Sequence, residues 1–197
     1  MKILFAVCSY LLGAVPFGYL FFRASEKRDI RKFGSQSTGA TNVLRLKGWG
    51  YALPVAFLDV LKGFVPPFVA LKIFHNYDMA LLGAFSAIVG HCFPVYLKFR
   101  GGKGVAASVG AFAVLGLKPL LLSLALFVLI IVFTRYVSLG SILAAFSYPL
   151  FAVLFKTPRN LSLWAMAIFG VVLFKHWGNV RRLANGTERK FGEKVPL

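Results

Sequence analysis

Apolar stretches long enough to cross a bilayer alternate along this chain with short polar interruptions. Residues 3–22 form an apolar run of 20, which as a helix reaches about 30 Å, the thickness of a hydrocarbon core. Gly13, Pro16 and Gly18 lie inside it, and it ends in Phe21-Phe22 with no small-residue cleavage signal, which favours a retained anchor over a signal peptide. A polar stretch occupies 23–48, and further apolar segments cover about 50–74, 79–97, 105–134, 136–155 and 160–178. The 105–134 run is too long for one crossing. Gly116-Leu117-Lys118-Pro119 divides it, because proline restrains the residue before it, and leaves two halves of roughly 12 to 15 residues.

With that break the pattern predicts an all-α polytopic membrane protein of seven transmembrane helices, amino terminus outside and carboxyl terminus cytoplasmic. Parity supports the count. The loops at 23–48, 98–103 and Arg135 and the tail 181–194 then share one side and hold 16 of the 23 basic residues, as the positive-inside bias requires. Lys156 and Arg159 fall on the other side as a minority. Ser25–Phe33 is expected to form a short surface helix before the chain turns back to the membrane.

Composition agrees with the pattern. The chain is 58% hydrophobic and 15% charged, against roughly 25% charged in an ordinary soluble domain. It reads as a single integral membrane domain over 1–197. The net charge of +17 would suggest nucleic acid in a soluble protein; divided among short loops, it fits anionic lipid headgroups and an anionic substrate instead. Cys8 and Cys92 both lie in apolar segments, so neither a disulfide framework nor a metal cluster is indicated.

Three polar segments carry the candidate chemistry. Gly34–Arg45 sets hydroxyls and an amide between glycines, and Arg45 follows Asn42 by one helical turn. Gly90–Val105 is a basic, glycine-rich turn in which Gly101, Gly102 and Gly104 allow close approach of the backbone while Arg100 and Lys103 supply charge, a combination suited to phosphate. It is not a P-loop, since Leu97 stands where the first glycine belongs and Gly104 where a Ser or Thr would hold magnesium. The third segment, Lys175–Lys190, places His176 and Asn179 three residues apart.

Topology predicts that the three segments emerge at one membrane face. Arg45, Lys103, Lys175 and Arg181 can meet anionic oxygens; Ser35, Thr41, Asn42 and Asn179 can meet hydroxyl or phosphate groups; His91 and His176 can donate or accept. Taken singly, each has an ordinary reading: turn residues for the first segment, interfacial hydrogen bonds for the histidines. Asp59 and Lys62, at i,i+3 inside the second span, are expected to neutralise each other within the bundle or at its cytoplasmic edge. No zinc-protease motif, carboxylate cluster or nucleophile elbow is present, so no metal or other cofactor is expected.

GATNVLR, FRGGKGVA and NVRRLxxGxExK, in that order, resemble the three signature motifs of the bacterial acylphosphate-dependent glycerol-3-phosphate acyltransferase family, and the likeness extends over the whole chain in length and hydropathy. The resemblance implies a multi-pass protein of the bacterial cytoplasmic membrane that transfers a fatty acyl group from acyl phosphate to the 1-hydroxyl of glycerol 3-phosphate, giving lysophosphatidic acid, without a covalent enzyme intermediate. It implies that Ser35, Arg45, Lys103, His176 and Asn179 are glycerol-phosphate and catalytic residues. Thr41, Asn42, His91, Gly101, Gly102 and Gly104 would form the pocket for the donor's phosphate. The His-x-x-x-x-Asp motif of other glycerol-phosphate acyltransferases is absent here: Tyr96 and Arg181 stand five residues after His91 and His176.

Two other classes remain open from the residues alone. A small anion transporter or channel would use the intramembrane Asp59 and Lys62, but needs polar residues at mid-depth on several helices. A nucleotide-dependent phosphoalcohol transferase would need an acidic metal motif. The expected partners are acyl phosphate, glycerol 3-phosphate and membrane lipids, not nucleic acid, with oligomeric state open, a monomer among the alternatives.

Overall fold

The computed structural model describes residues 1–193, and every regular element in them is helical. Lys194, counted above with the basic tail, lies outside them. The described chain falls into two compact units, Met1–Ala111 and Phe112–Glu193.

In the first unit, α1 (Lys2–Ala14) and α2 (Phe17–Glu26) divide the first apolar run. Pro16 has no N–H to donate and disfavours helical geometry at Val15, whose ψ is 115°. The single helix expected over 3–22 is therefore two pieces that reach to Glu26. The surface helix expected over Ser25–Phe33 does not form. Lys27 turns the chain at φ 54°, and only a 3-10 turn, Ile30–Lys32, follows. Asp29 accepts the Arg31 N–H at 2.9 Å, a local bond that competes with helix.

Next come α3 (Ala40–Lys47), α4 (Trp49–Lys72), α5 (Tyr77–Cys92), a 3-10 turn at Val95–Leu97, and α6 (Val105–Leu115), which runs on into the second unit. Helix α5 packs on α1 and α4, and α3 packs on α4. Backbones meet closely where side chains are absent. A Cβ on Gly13 or Gly90 would overlap the α5 or α1 backbone, and one on Gly63 or Gly110 would overlap the α6 or α4 backbone at Ala107 or Val60. Helix α6, and with it the basic loop at its start, is thus seated against α4. Phe22, Ile30, Val43, Ala52 and Val55 form a buried cluster beneath the first polar loop.

The second unit holds α7 (Leu117–Thr134), α8 (Val137–Leu154), α9 (Arg159–Lys175) and α10 (Trp177–Ala184), with α8 packed against both α7 and α9. The expected break is present, but it falls at Gly116 alone. Pro119 lies in the first turn of α7, where a missing N–H leaves no helical bond unmade. The two halves are therefore unequal: α6 has 11 residues and α7 has 18, about 16 and 27 Å. Tyr148 stacks on Phe112 at 3.6 Å between ring centres and donates to the Gly116 carbonyl at 3.3 Å, so the break is buried and hydrogen-bonded. Among the described residues, five helical segments are long and apolar enough to cross a membrane; the bent pair α9–α10, taken as one span, would make a sixth, and α6 is a shorter apolar helix.

Candidate active site

In the first polar segment, Asn42 organises the loop around itself. It lies in the first turn of α3 and is buried. Its Oδ1 accepts the Ser35 N–H at 2.8 Å, and its Nδ2 donates to the Ser37 carbonyl at 2.9 Å and the Phe33 carbonyl at 3.2 Å. Gly34 has φ +57°, and a Cβ there would overlap Asn42 Oδ1, so the sequence needs glycine at that position. Both amide hydrogens of Asn42 are thereby used by the loop. Its donors hold the backbone that presents Ser35. Thr41 is exposed on α3, and Arg45, one turn after Asn42, is half-buried.

Arg31 ties this segment to the next. It pairs with Asp29 at 2.7 Å, lies 5.6 Å from the centre of the Tyr19 ring and donates to the Leu97 carbonyl at 2.8 Å. The Arg31 hydrogen bond holds the Asp29 carboxyl below its ordinary range. Lys47 and Glu26 form a further ion pair beside α3.

The second segment starts from His91, near the end of α5 and buried. Its carbonyl accepts the Gly102 N–H at 3.0 Å, and a Cβ on Gly102 would overlap its ring. Gly101 is packed in the same way against Pro94 and the His91 carbonyl. Gly104, at φ +88°, then opens α6, and its carbonyl accepts the Ser108 N–H at 2.8 Å. Lys103 is half-buried between them, whereas Arg100 is exposed. Beneath the loop, Asp59 and Lys62 form the expected ion pair at 2.7 Å, each side chain 2% exposed. The sequence reading missed a third member: His91 Nδ1 lies 3.5 Å from Asp59 Oδ1.

In the second unit the chain bends by 61° between α9 and α10, with His176 at the corner, ending one helix and beginning the next. Its Nδ1 lies 2.8 Å from the Val172 carbonyl. A carbonyl cannot donate, so Nδ1 carries the proton and Nε2 is the basic nitrogen of the neutral ring. Asn179 Nδ2 donates to Glu188 Oε1 at 2.7 Å, which turns the amide oxygen away from the carboxylate. Ser138 donates to the same oxygen at 2.9 Å, and Arg182 Nε to Oε2 at 2.8 Å. Burial pushes the Glu188 carboxyl up, but the bonds from Asn179, Ser138 and Arg182 with the Arg182 charge outweigh it, and the net shift is downward. Arg181 is exposed, 5.8 Å from the Trp177 ring centre, and Lys175 is half-buried. Glu188 was visible as the lone acid in a basic motif; Ser138 had no signal in the sequence.

The glycerol-3-phosphate acyltransferase family model matches residues 3–186. The chain belongs to the glycerol-3-phosphate acyltransferase family. A glycerol-3-phosphate acyltransferase of Thermoanaerobacter sp. (strain X514) is 39% identical over 197 residues, covering 99% of this chain and 98% of the relative. One of Fusobacterium nucleatum is 42% identical over 190 residues, covering 95% and 96%. Among solved structures, the glycerol 3-phosphate form of PlsY (YgiH), an integral membrane glycerol 3-phosphate acyltransferase, superposes with a TM-score of 0.91 at 36% identity, covering 97% of this chain and 96% of that one. Its lysophosphatidic acid form superposes with a TM-score of 0.87. The acyltransferase family thus accounts for nearly the whole chain and all three polar segments.

Proposed function

We propose that this protein transfers a fatty acyl group from acyl phosphate to the 1-hydroxyl of sn-glycerol 3-phosphate, releasing lysophosphatidic acid and phosphate. It acts as one integral membrane acyltransferase domain at the cytoplasmic face of the bacterial inner membrane. The observation that carries the reading is the full-length likeness to an enzyme solved both with glycerol 3-phosphate and with lysophosphatidic acid, two molecules that differ by a single acyl group.

The hydroxyl oxygen attacks the acyl carbonyl carbon, and the tetrahedral oxyanion collapses with loss of phosphate. Acyl phosphate is already an activated mixed anhydride, so no enzyme nucleophile is required. Repulsion between two phosphorylated substrates is an obstacle comparable to removal of the hydroxyl proton. Two unit charges 4 Å apart repel by about 4 kcal/mol at an effective dielectric of 20, roughly a thousandfold in rate. That is as much as a general base supplies, which accounts for a chain richer in cations than in bases. Gly101, Gly102 and Gly104 at the start of α6 hold the donor's phosphate, with His91 beneath them, Thr41 contributing its hydroxyl and Asn42 shaping the first loop. Ser35, Arg45 and Lys103 bind glycerol 3-phosphate. Asn179, its amide oxygen turned away from Glu188, accepts the attacking hydroxyl, and the proton passes to His176 Nε2 or to a phosphate oxygen. Seven spans, with the amino terminus outside, complete the reading; α6 counts as the short one.

Purified protein in detergent, given palmitoyl phosphate and labelled glycerol 3-phosphate, is expected to form lysophosphatidate and equimolar phosphate. Palmitoyl-CoA and palmitoyl acyl carrier protein are expected to yield none. No product from saturating acyl phosphate, or product from the thioesters alone, would overturn the proposal.

A further inference from the structure

The buried Asp59–Lys62 pair has no part in the chemistry above, yet its geometry does more than neutralise charge. Two charges inside a span are tolerated only when well partnered, and Lys62 alone would satisfy that need for Asp59. Asp59 Oδ1 nevertheless faces two groups, Lys62 Nζ at 2.7 Å and His91 Nδ1 at 3.5 Å. Lys62 is fixed in turn by the Val15 carbonyl at 2.8 Å, at the break between α1 and α2, and its ammonium sits 5.5 Å from the Phe17 ring centre. The carboxylate therefore has little freedom. On the far side, the His91 ring fills the space a Gly102 side chain would take, and the His91 carbonyl holds the Gly102 N–H. The ring cannot turn without displacing Gly102, the neighbour of Lys103.

We propose that Asp59 is a positioning residue for the loop that holds the acyl donor's phosphate, acting through the His91 ring, with Lys62 as the anchor that fixes the carboxylate. This rests on the acyltransferase reading above.

The test uses the full-length protein in detergent with palmitoyl phosphate and glycerol 3-phosphate. An inactive wild type would sink the acyltransferase reading itself, together with the inference resting on it. With wild type active, Asp59→Asn is expected to raise KM for palmitoyl phosphate by about tenfold or more and to change KM for glycerol 3-phosphate by less than about twofold. Adding His91→Asn to it should bring little further loss, because both changes break one linkage. The doubly apolar variant Asp59→Leu/Lys62→Met removes both charges together, which folded proteins tolerate far better than removal of one. It should remain folded and show the same selective rise, while Lys118→Ala matches wild type. A folded Asp59 variant with wild-type KM for palmitoyl phosphate would overturn the proposal, as would an equal rise in both KM values. Failure of both Asp59 variants to fold would also overturn it, since the pair would then serve the fold and not the loop.

Discussion

Asn179 directs its amide nitrogen at a carboxylate that also accepts from Ser138 and Arg182, so Glu188 fixes which way that amide is turned. Glu188→Ala would leave buried donors without an acceptor at about 1–3 kcal/mol each. Thermal unfolding in detergent should show that loss, with Glu188→Gln in between. The pH dependence follows from the sign of the shift. A carboxyl held below its ordinary value of 4.5 contributes stability that is present above that value and lost as pH falls through the lowered one. The stability gap between wild type and Glu188→Gln should therefore be widest near neutrality and close in acid; a gap that widens in acid would contradict the assignment. Sequence identified Asn179 and His176 as polar residues in a motif, but not what orients them. The orientation of Asn179 depends on Glu188 in the tail folding back, which is itself held by Ser138, 50 residues before Glu188 on another helix, and neither leaves a local pattern. Asn42 is the converse case. Its residue type suggested a ligand, and its hydrogen bonds to Phe33, Ser35 and Ser37 add a loop support that no local pattern shows.

Helix positions were legible because apolar runs and proline act locally. The boundaries of α4, α5, α8 and α9 lie within a few residues of those read from hydropathy, and Gly116 breaks the long run where expected. Pro16 acts locally too, dividing the first apolar run into two helices at Val15. What hydropathy cannot register is how near two helices approach. The α4–α6 contact depends on Gly63 and Gly110, where any Cβ would meet the facing backbone. Gly110→Val is expected to lower stability by about 1–3 kcal/mol through overpacking and, by displacing α6 and its amino-terminal loop, to weaken donor binding. Gly170→Val, with open space at its Cβ position, should do neither. Unfolding midpoints and KM values for the two variants provide the check.

For the whole molecule, the proposed orientation makes a direct prediction. In a background of Cys8→Ala and Cys92→Ala, a membrane-impermeant maleimide added to intact cells should label Lys72→Cys, before the turn to α5, and should spare Thr187→Cys until the membrane is opened. Both positions are exposed in the fold, and a reversed pattern would invert the topology. Large apolar side chains such as Phe57, Val132, Phe133 and Leu154 are also exposed, between 66% and 82%, which suits a surface bathed in hydrocarbon. The ion pair of α4 bears on how such a molecule is made. A lone carboxylate or ammonium at mid-helix opposes partition from the translocon into lipid by roughly 2.5–3.5 kcal/mol. Asp59 and Lys62 stand one helical turn apart, so they can neutralise each other as soon as α4 coils, before α1 has packed on it or α5 has been made. The nascent segment can enter the bilayer unaided, and the contacts to Val15 and His91 are then gathered by a pair already in place.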